Sequence, residues 1–421
     1  MTNTIRSSQR RRHPIWLIVL AAAIIAGIAM GLRQVMGLYL RPVTETLGLG
    51  REVFGLSIAL ANIVWGVSAP VVGALSDKFG SGRVVIVGVA ATVLGLLAMY
   101  MATTDLDLLV SGALLGLGIS CAGINTMVGA VGRASTDNKR TEAIAAVGMG
   151  SGVGILLALP YTHILMQQLG WQTSLLALSA TACAMVLFVP FLRGQNTLNS
   201  ETSVPSPQGQ TTTTGEPESW QAAISEAIRY PSFWLLNAGF FVCGFHVVFY
   251  GTHLPAYVAD LGLSPDVAVW GLFAVGVGNL IGTYLAGQWG KSFPKRYGLS
   301  LIYGARSVVF LGFLYLPITG STIVLLSAVL GLLWLSTIPL TSSLVATFFG
   351  ARWMTMLYGI VFFSHQAGSF LGVWLGGVVF DASQSYDVMW WISVALGIVA
   401  AIVHLPISEK PVPRPAVALQ T

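Results

Sequence analysis

One basic residue, Arg33, stands inside an apolar stretch running from about residue 15 to residue 40. A charge at that depth is unfavourable by several kcal/mol unless it meets water, a partner or a ligand. A ligand facing it would be met by a fixed positive charge, with Gln34 next to it in the chain. The alternative is an arginine near its helix end, with the head group snorkelling to the interface. A second embedded arginine, Arg306, sits about 12 Å along its own helix, where a structural bond to polar groups of a neighbour is the leading reading. His246 and His253 are seven residues apart and share a helix face with Tyr250 between them, about 10 Å along the axis. Imidazoles there can carry or sense a proton, or pack as neutral hydrogen-bonded groups. His365, ahead of Gly368, Gly372 and Gly376, has the same two readings, and the glycines form a stripe for close helix packing. Asn62, Trp65, Asn125, Asn279 and Trp334 are further intramembrane polar or aromatic groups, able to line a site or to join helices.

These residues need apolar helices to hold them. Of 421 residues, 55% are hydrophobic and 9% charged, against roughly 25% charged in soluble domains. A soluble enzyme is excluded. Crossing a hydrocarbon core takes about 20 apolar residues, and twelve such runs are present: 15–40, 52–73, 83–103, 106–131, 141–165 and 171–192, then 231–258, 266–288, 298–317, 321–348, 354–380 and 386–407. The reading is an all-α membrane protein of twelve transmembrane helices in two pseudo-symmetric six-helix bundles. Its parts are an N-terminal tail (1–14), a first bundle (15–193), a polar linker with a short amphipathic helix from Trp220 (194–230), a second bundle (231–407) and a C-terminal tail (408–421). The first span reads as retained rather than as a cleaved leader.

Seventeen of the 21 lysines and arginines fall on the side of the termini and linker. That bias places both termini in the cytoplasm and the protein in the cytoplasmic (inner) membrane. All 16 acids lie in loops or at helix ends, so a buried carboxylate relay is unavailable and any proton carrier must be histidine or the substrate. Cys121, Cys183 and Cys243 have no zinc-site spacing and read as small hydrophobes in packed helices. The glycines at 148, 150, 152 and 154 lack the strand and the Lys-Ser/Thr of a phosphate loop and read as helix packing. No His-Glu-x-x-His and no Gly-x-Ser-x-Gly occurs, which argues against an intramembrane enzyme.

The loop after the second run reads Gly73-Ala-Leu-Ser-Asp-Lys-Phe-Gly-Ser-Gly-Arg83, which resembles the signature of the major facilitator superfamily. The matching loop of the second half, Gly287-Gln-Trp-Gly-Lys-Ser-Phe-Pro-Lys-Arg296, has lost the acid, with Lys291 where Asp77 would fall. The resemblance implies a cytoplasmic gate built on Gly73, Asp77, Gly80 and Arg83, with Gly73 allowing two helices to approach and Asp77 facing a helix N-terminus. Within the superfamily the chain looks most like the monocarboxylate-transporter group and its bacterial relatives. The similarity rests on Gly31-Leu-Arg-Gln34, on the stretch from Arg140-Thr-Glu to Gly154, on Thr252-His-Leu-Pro255, and on Ser364-His-Gln-Ala-Gly-Ser-Phe-Leu-Gly372. Two departures stand out. Asn279 and Thr283 replace the acid and arginine of the eighth span, and His13-Pro-Ile-Trp16 replaces the acidic start of the first.

The resemblance implies alternating access by two halves around a central cavity lined by spans one, four, seven and ten. It points to secondary active transport of a small organic anion, a monocarboxylate, with proton symport as the default coupling. Arg33, Gln34, Asn125, His246, Tyr250 and Trp334 are the expected substrate-binding residues. His246, His253 and His365 are the expected proton-coupling or gating residues. No cofactor, metal or nucleic-acid partner is implied, the surroundings are a lipid bilayer, and a monomer of this fold is complete. The competing expectation is an exporter of an amphipathic or aromatic compound, for which Arg33 would be dispensable and Trp65 and Trp334 dominant.

Overall fold

The computed structural model describes residues 14–135, 137–192, 219–350 and 353–413. The expected basic tail, most of the linker and the end of the C-terminal tail lie outside the described residues. So do the side chains of Asp77 and of residues 137–141. In lipid every backbone polar group needs an internal partner, and helices provide one. Among the described residues, eleven helical stretches are long and apolar enough to cross a membrane. The longest, Glu142–Leu192, has 51 residues and would reach roughly 75 Å if straight. It turns at Gly170, whose φ of 77° is outside the helical range. Divided there, it supplies spans five and six, and the total is twelve.

The spans are Ile15–Leu47, Arg51–Phe79, Ser81–Tyr100, Asp105–Ala134, the two parts of Glu142–Leu192, Pro231–Asp260, Pro265–Ser292, Lys295–Tyr315, Gly320–Phe349, Met354–Ser383 and Asp387–His404, numbered one to twelve in chain order. Three are interrupted near mid-length. Span one contains a 3-10 turn at Val35–Tyr39. Span four breaks at Gly123, and span ten breaks between Leu333 and Thr337. Several starts are capped from the sequence itself, as where Thr104 and Asp107 form a reciprocal capping box at span four. Between spans two and three the chain turns on Gly80 at φ 86°, a conformation glycine adopts without steric penalty.

Packing repeats with a two-fold pattern. Span one lies on five as span seven lies on eleven, and two lies on four as eight lies on ten. The halves meet through the pairs two with eleven and five with eight, and span one touches span seven from its 3-10 turn onward. Small residues make these contacts close, since without a hydrophobic drive between helices close approach is what favours association. A Cβ added at Gly27 of span one would lie 2.8 Å from the Gly150 carbonyl of span five, and one at Gly372 would lie 2.5 Å from the Phe245 carbonyl of span seven. Gly150 and Gly154 of span five and Gly368, Gly372 and Gly376 of span eleven therefore serve helix packing, whereas Gly148, expected to do the same, has nothing within 4 Å of an added Cβ.

Candidate functional site: a cavity at the Arg33 guanidinium

Span one bends through its 3-10 turn immediately after Arg33 and Gln34, which presents both to the seam between the halves. Arg33 is half-buried. Its Nη2 donates to Asn62 Oδ1 of span two at 3.0 Å, and the guanidinium lies over the Trp65 ring, 5.2 Å from its centroid. Asn62 is held in turn, because its amide nitrogen donates to the Ile58 carbonyl at 2.8 Å. Among the described residues no carboxylate lies within 4.0 Å of Arg33.

A cavity opens beside this group. Arg33, Gln34, Asn62, Thr92 and Thr252 give it a polar side, and Ile58, Leu115, Ile119, Val247 and Val248 an aliphatic one. Water-sized molecules have about 50 Å³ for their centres, room for a few waters at about 10–15 Å³ each. Its chemistry is one cation, several neutral donors and acceptors, no acid and a short apolar wall.

The expected site residues do not all gather there. Arg33 and Gln34 line the cavity. Trp334 is adjacent, 3.9 Å from a Cβ added at Gly251. Tyr250 is fully buried behind it, bonded to Ser327 of span ten at 2.6 Å and edge-on to Trp334. His246 points the other way, into the second bundle, where Nε2 donates to the Ser393 carbonyl at 3.0 Å and the ring packs on Phe310. Asn125 is exposed beyond the break in span four and is not part of the cavity wall. His365 is buried between spans seven and eleven, with Nδ1 at 3.2 Å from Gln366 Oε1.

Arg306 is fully buried and holds the break in span ten. It donates to the Leu333 carbonyl at 2.6 Å and to the Trp334 carbonyl, while Asn279 Oδ1 of span eight accepts from the Leu335 N–H at 3.0 Å. The backbone groups freed by the interruption are thereby satisfied.

At the face opposite the termini the halves are tied together. Arg51 of span two makes two parallel hydrogen bonds of 2.6 Å to Asp260 at the end of span seven. Asp381 of span eleven accepts from the Arg51 and Glu52 backbone N–H groups at 3.0 and 2.7 Å, capping the start of span two from the other half. Arg51 Nη1 also donates to the Tyr386 hydroxyl at 2.9 Å, which lies 2.9 Å from His253 Nδ1. His253 Nε2 faces the Val373 carbonyl at 2.8 Å. Since a carbonyl only accepts, the proton is on Nε2 and Tyr386 donates to Nδ1. His163 of span five pairs with Asp266 of span eight at 2.6 Å on the same face. The sequence reading missed Arg51, Asp260, Asp381 and Tyr386. The available signal was that Arg41 and Arg51 are the two basic residues on the sparsely basic side.

The loop signature lies at the opposite end. Gly73, expected to let two helices approach, has nothing within 4 Å of an added Cβ. The Asp77 side chain of the same motif lies outside the described residues. Gly80 makes the turn described above, and Arg83 is exposed.

Comparison with known proteins accords with this architecture. The family description Major Facilitator Superfamily matches residues 15–373. The chain is 23% identical to an uncharacterized MFS-type transporter, YcxA, of Bacillus subtilis, over 96% of this chain and 97% of that one. It is 24% identical to monocarboxylate transporter 13 of Rattus norvegicus, over 88% and 83%. Among solved structures, a bacterial homolog of the human lysosomal transporter Spinster, inward-facing and occupied, superposes with a TM-score of 0.73 at 14% identity, covering 93% of this chain and 96% of that one.

Proposed function

Because the chain belongs to the Major Facilitator Superfamily, a family of multi-pass membrane transporters, we propose that it carries a small organic anion, a monocarboxylate, across the cytoplasmic membrane. The observation that carries this reading is Arg33, a cation in an inter-half cavity with no carboxylate among the described residues within 4.0 Å. A substrate anion would supply the missing charge through the guanidinium fork. Asn62, Gln34 and Thr252 would orient it, and the aliphatic wall would meet its short carbon chain. The rat relative, by its name a monocarboxylate transporter, adds support.

The positive-inside bias would put the termini and the linker in the cytoplasm and the Arg51–Asp260 latch on the outer side. Alternation would proceed by rocking of the two six-helix halves around the midplane cavity, with the protein acting as a monomer. Neutralising Arg33 with a substrate anion removes an uncompensated charge from the closing cavity, which favours loaded over empty return. Proton symport is the coupling proposed. With the acids at helix ends, its carriers are the histidines of spans seven and eleven or the substrate itself.

The test is radiolabelled uptake into proteoliposomes under an imposed inward proton gradient, with lactate, pyruvate, acetate, aromatic carboxylates and neutral analogues. Gradient-driven uptake of one carboxylate, lost in Arg33→Gln, is the expected result. Carboxylate uptake indifferent to the gradient removes the proton and keeps the anion. An Arg33→Gln protein equal to wild type, or movement of neutral amphipathic compounds alone, overturns the reading in favour of export.

A further inference from the structure

Arg33 belongs to the first half, yet two short chains of contact tie it to one turn of span eleven in the second. The first is polar. Arg33 donates to Asn62 Oδ1, and the Asn62 backbone carbonyl accepts from Gln366 Nε2 of span eleven at 3.3 Å. Gln366 is fully buried, and Asn62 is 3% exposed. The second is aromatic. The Arg33 guanidinium lies over Trp65, and Trp65 meets Phe362 of span eleven edge-on, with centroids 5.3 Å apart. The two chains end on the same turn, closed internally because His365 stacks on Phe362 and faces Gln366 Oε1. Close packing brings it this near, since a Cβ added at Gly66 would lie 3.1 Å from Gln366 Cβ.

We propose that Asn62 and Gln366, with the Trp65 and Phe362 pair beside them, are positioning residues that make the packing of spans two and eleven depend on whether Arg33 is occupied. The proposal rests on the anion-carrier reading. In the empty site the guanidinium divides its interactions between the Asn62 amide and the Trp65 face. A carboxylate engages the fork bidentately and compensates the charge, which weakens the attraction to the ring. Trp65 is then free to move against Phe362, and the Asn62 turn can shift against Gln366. Both changes fall on a stretch where spans two and eleven touch between the outer latch and the end that carries the termini. A ligand shifts such an equilibrium only by its different interaction with the two states, and these contacts supply the difference.

The experiment separates binding from movement. Purified wild type, Arg33→Gln, Gln366→Met and Phe362→Leu are assayed for equilibrium binding and proteoliposome uptake of radiolabelled lactate, pyruvate and acetate. In parallel, Gly73→Cys in a Cys183→Ser background, where an added Cβ has nothing within 4 Å, reports the end that carries the termini by its rate of maleimide labelling with and without the same carboxylates. Gln366→Met is expected to bind as wild type does. Its uptake should fall by about five- to a hundredfold, the usual range of an inter-site coupling, and its labelling should no longer respond to carboxylate. Phe362→Leu cuts the second chain without touching the first and is read the same way should Gln366→Met fail to fold. Wild-type uptake with wild-type labelling response in both variants overturns the linkage and leaves the anion site standing. Absence of carboxylate binding by wild type overturns the anion reading, and the linkage with it.

Discussion

Arg51 of the second span and Asp260 at the end of the seventh face each other through two parallel hydrogen bonds of 2.6 Å, across 209 residues of sequence. The Arg51 side chain is 10% exposed and that of Asp260 25%, so the pair is largely withdrawn from water. The guanidinium also rests on the Phe380 ring, 3.6 Å from its centroid. One residue of the first half is thus gripped by spans seven and eleven of the second.

Removing half of that grip should open the outer face. Asp260→Asn leaves a buried guanidinium with neutral partners, and hydrogen bonds to charged groups are worth about 1.5–3 kcal/mol. The expected shift toward the outward-open state is roughly ten- to a hundredfold, a factor of ten being 1.4 kcal/mol. Labelling of Thr252→Cys, in a Cys183→Ser background, by an impermeant maleimide added from the latch side reads it, since this cavity residue is buried while the latch holds. The charge swap of Arg51 and Asp260 should recover part of the closure, while single reversals should not.

Asp381 acts on backbone rather than on a side chain. Gly50 at the start of span two offers no side-chain cap, and the carboxylate of span eleven supplies it. Asp381→Ala should weaken the outer closure by about 0.5–2 kcal/mol, the usual worth of a helix N-cap. Asp381→Asn should retain much of it, because an amide oxygen still accepts. The same labelling assay distinguishes the two.

Arg306→Met tests the hinge in span ten. Two carbonyls, those of Leu333 and Trp334, lose their donor, at about 1–3 kcal/mol for each buried group left unsatisfied. A lower melting temperature in detergent is expected, together with altered tryptophan emission from Trp334. Arg306→Lys, with one ammonium in place of a fork, should fall between.

Gly154→Leu should abolish folding. An added Cβ at Gly154 already collides with the Gly27 backbone, and overpacking that moves backbone costs about 1–3 kcal/mol or more. Gly148→Leu, where an added Cβ has nothing within 4 Å, should be tolerated. Yield and monodispersity on size exclusion give the comparison.

The spans were legible because lipid leaves a chain few options, and hydropathy reports length directly. Helix periodicity correctly put His246 and His253 on one face of span seven. It could not say what that face meets. Both rings bond elements of the second bundle, His246 reaching Ser393 and His253 reaching Val373 and Tyr386, while Val247, Val248, Gly251 and Thr252 face the cavity. Arg33 was conspicuous as a charge out of place. The outer latch was not, because an acid at a helix end is ordinary in any membrane protein. Its partners come together only through the fold, Arg51 with Asp381 across 330 residues. Arg306 shows the same limit. Sequence gives its depth, but not the broken helix beside it.

The contact of spans two and eleven relies on glycine on both sides. Added Cβ atoms at Gly55 and Gly377 would lie 2.8 and 2.5 Å from the Val373 and Arg51 carbonyls. Such a join has few teeth. Where interlocked leucines would have to unmesh and change rotamer before one helix could roll past another, two nearly smooth cylinders can tilt as rigid bodies with little friction. Under the rocking proposed above, the tempo would be set by the Arg51 clasp at one rim and by the contacts of Asn62, Trp65, Phe362 and Gln366 at mid-height, with the glycine bearing contributing little.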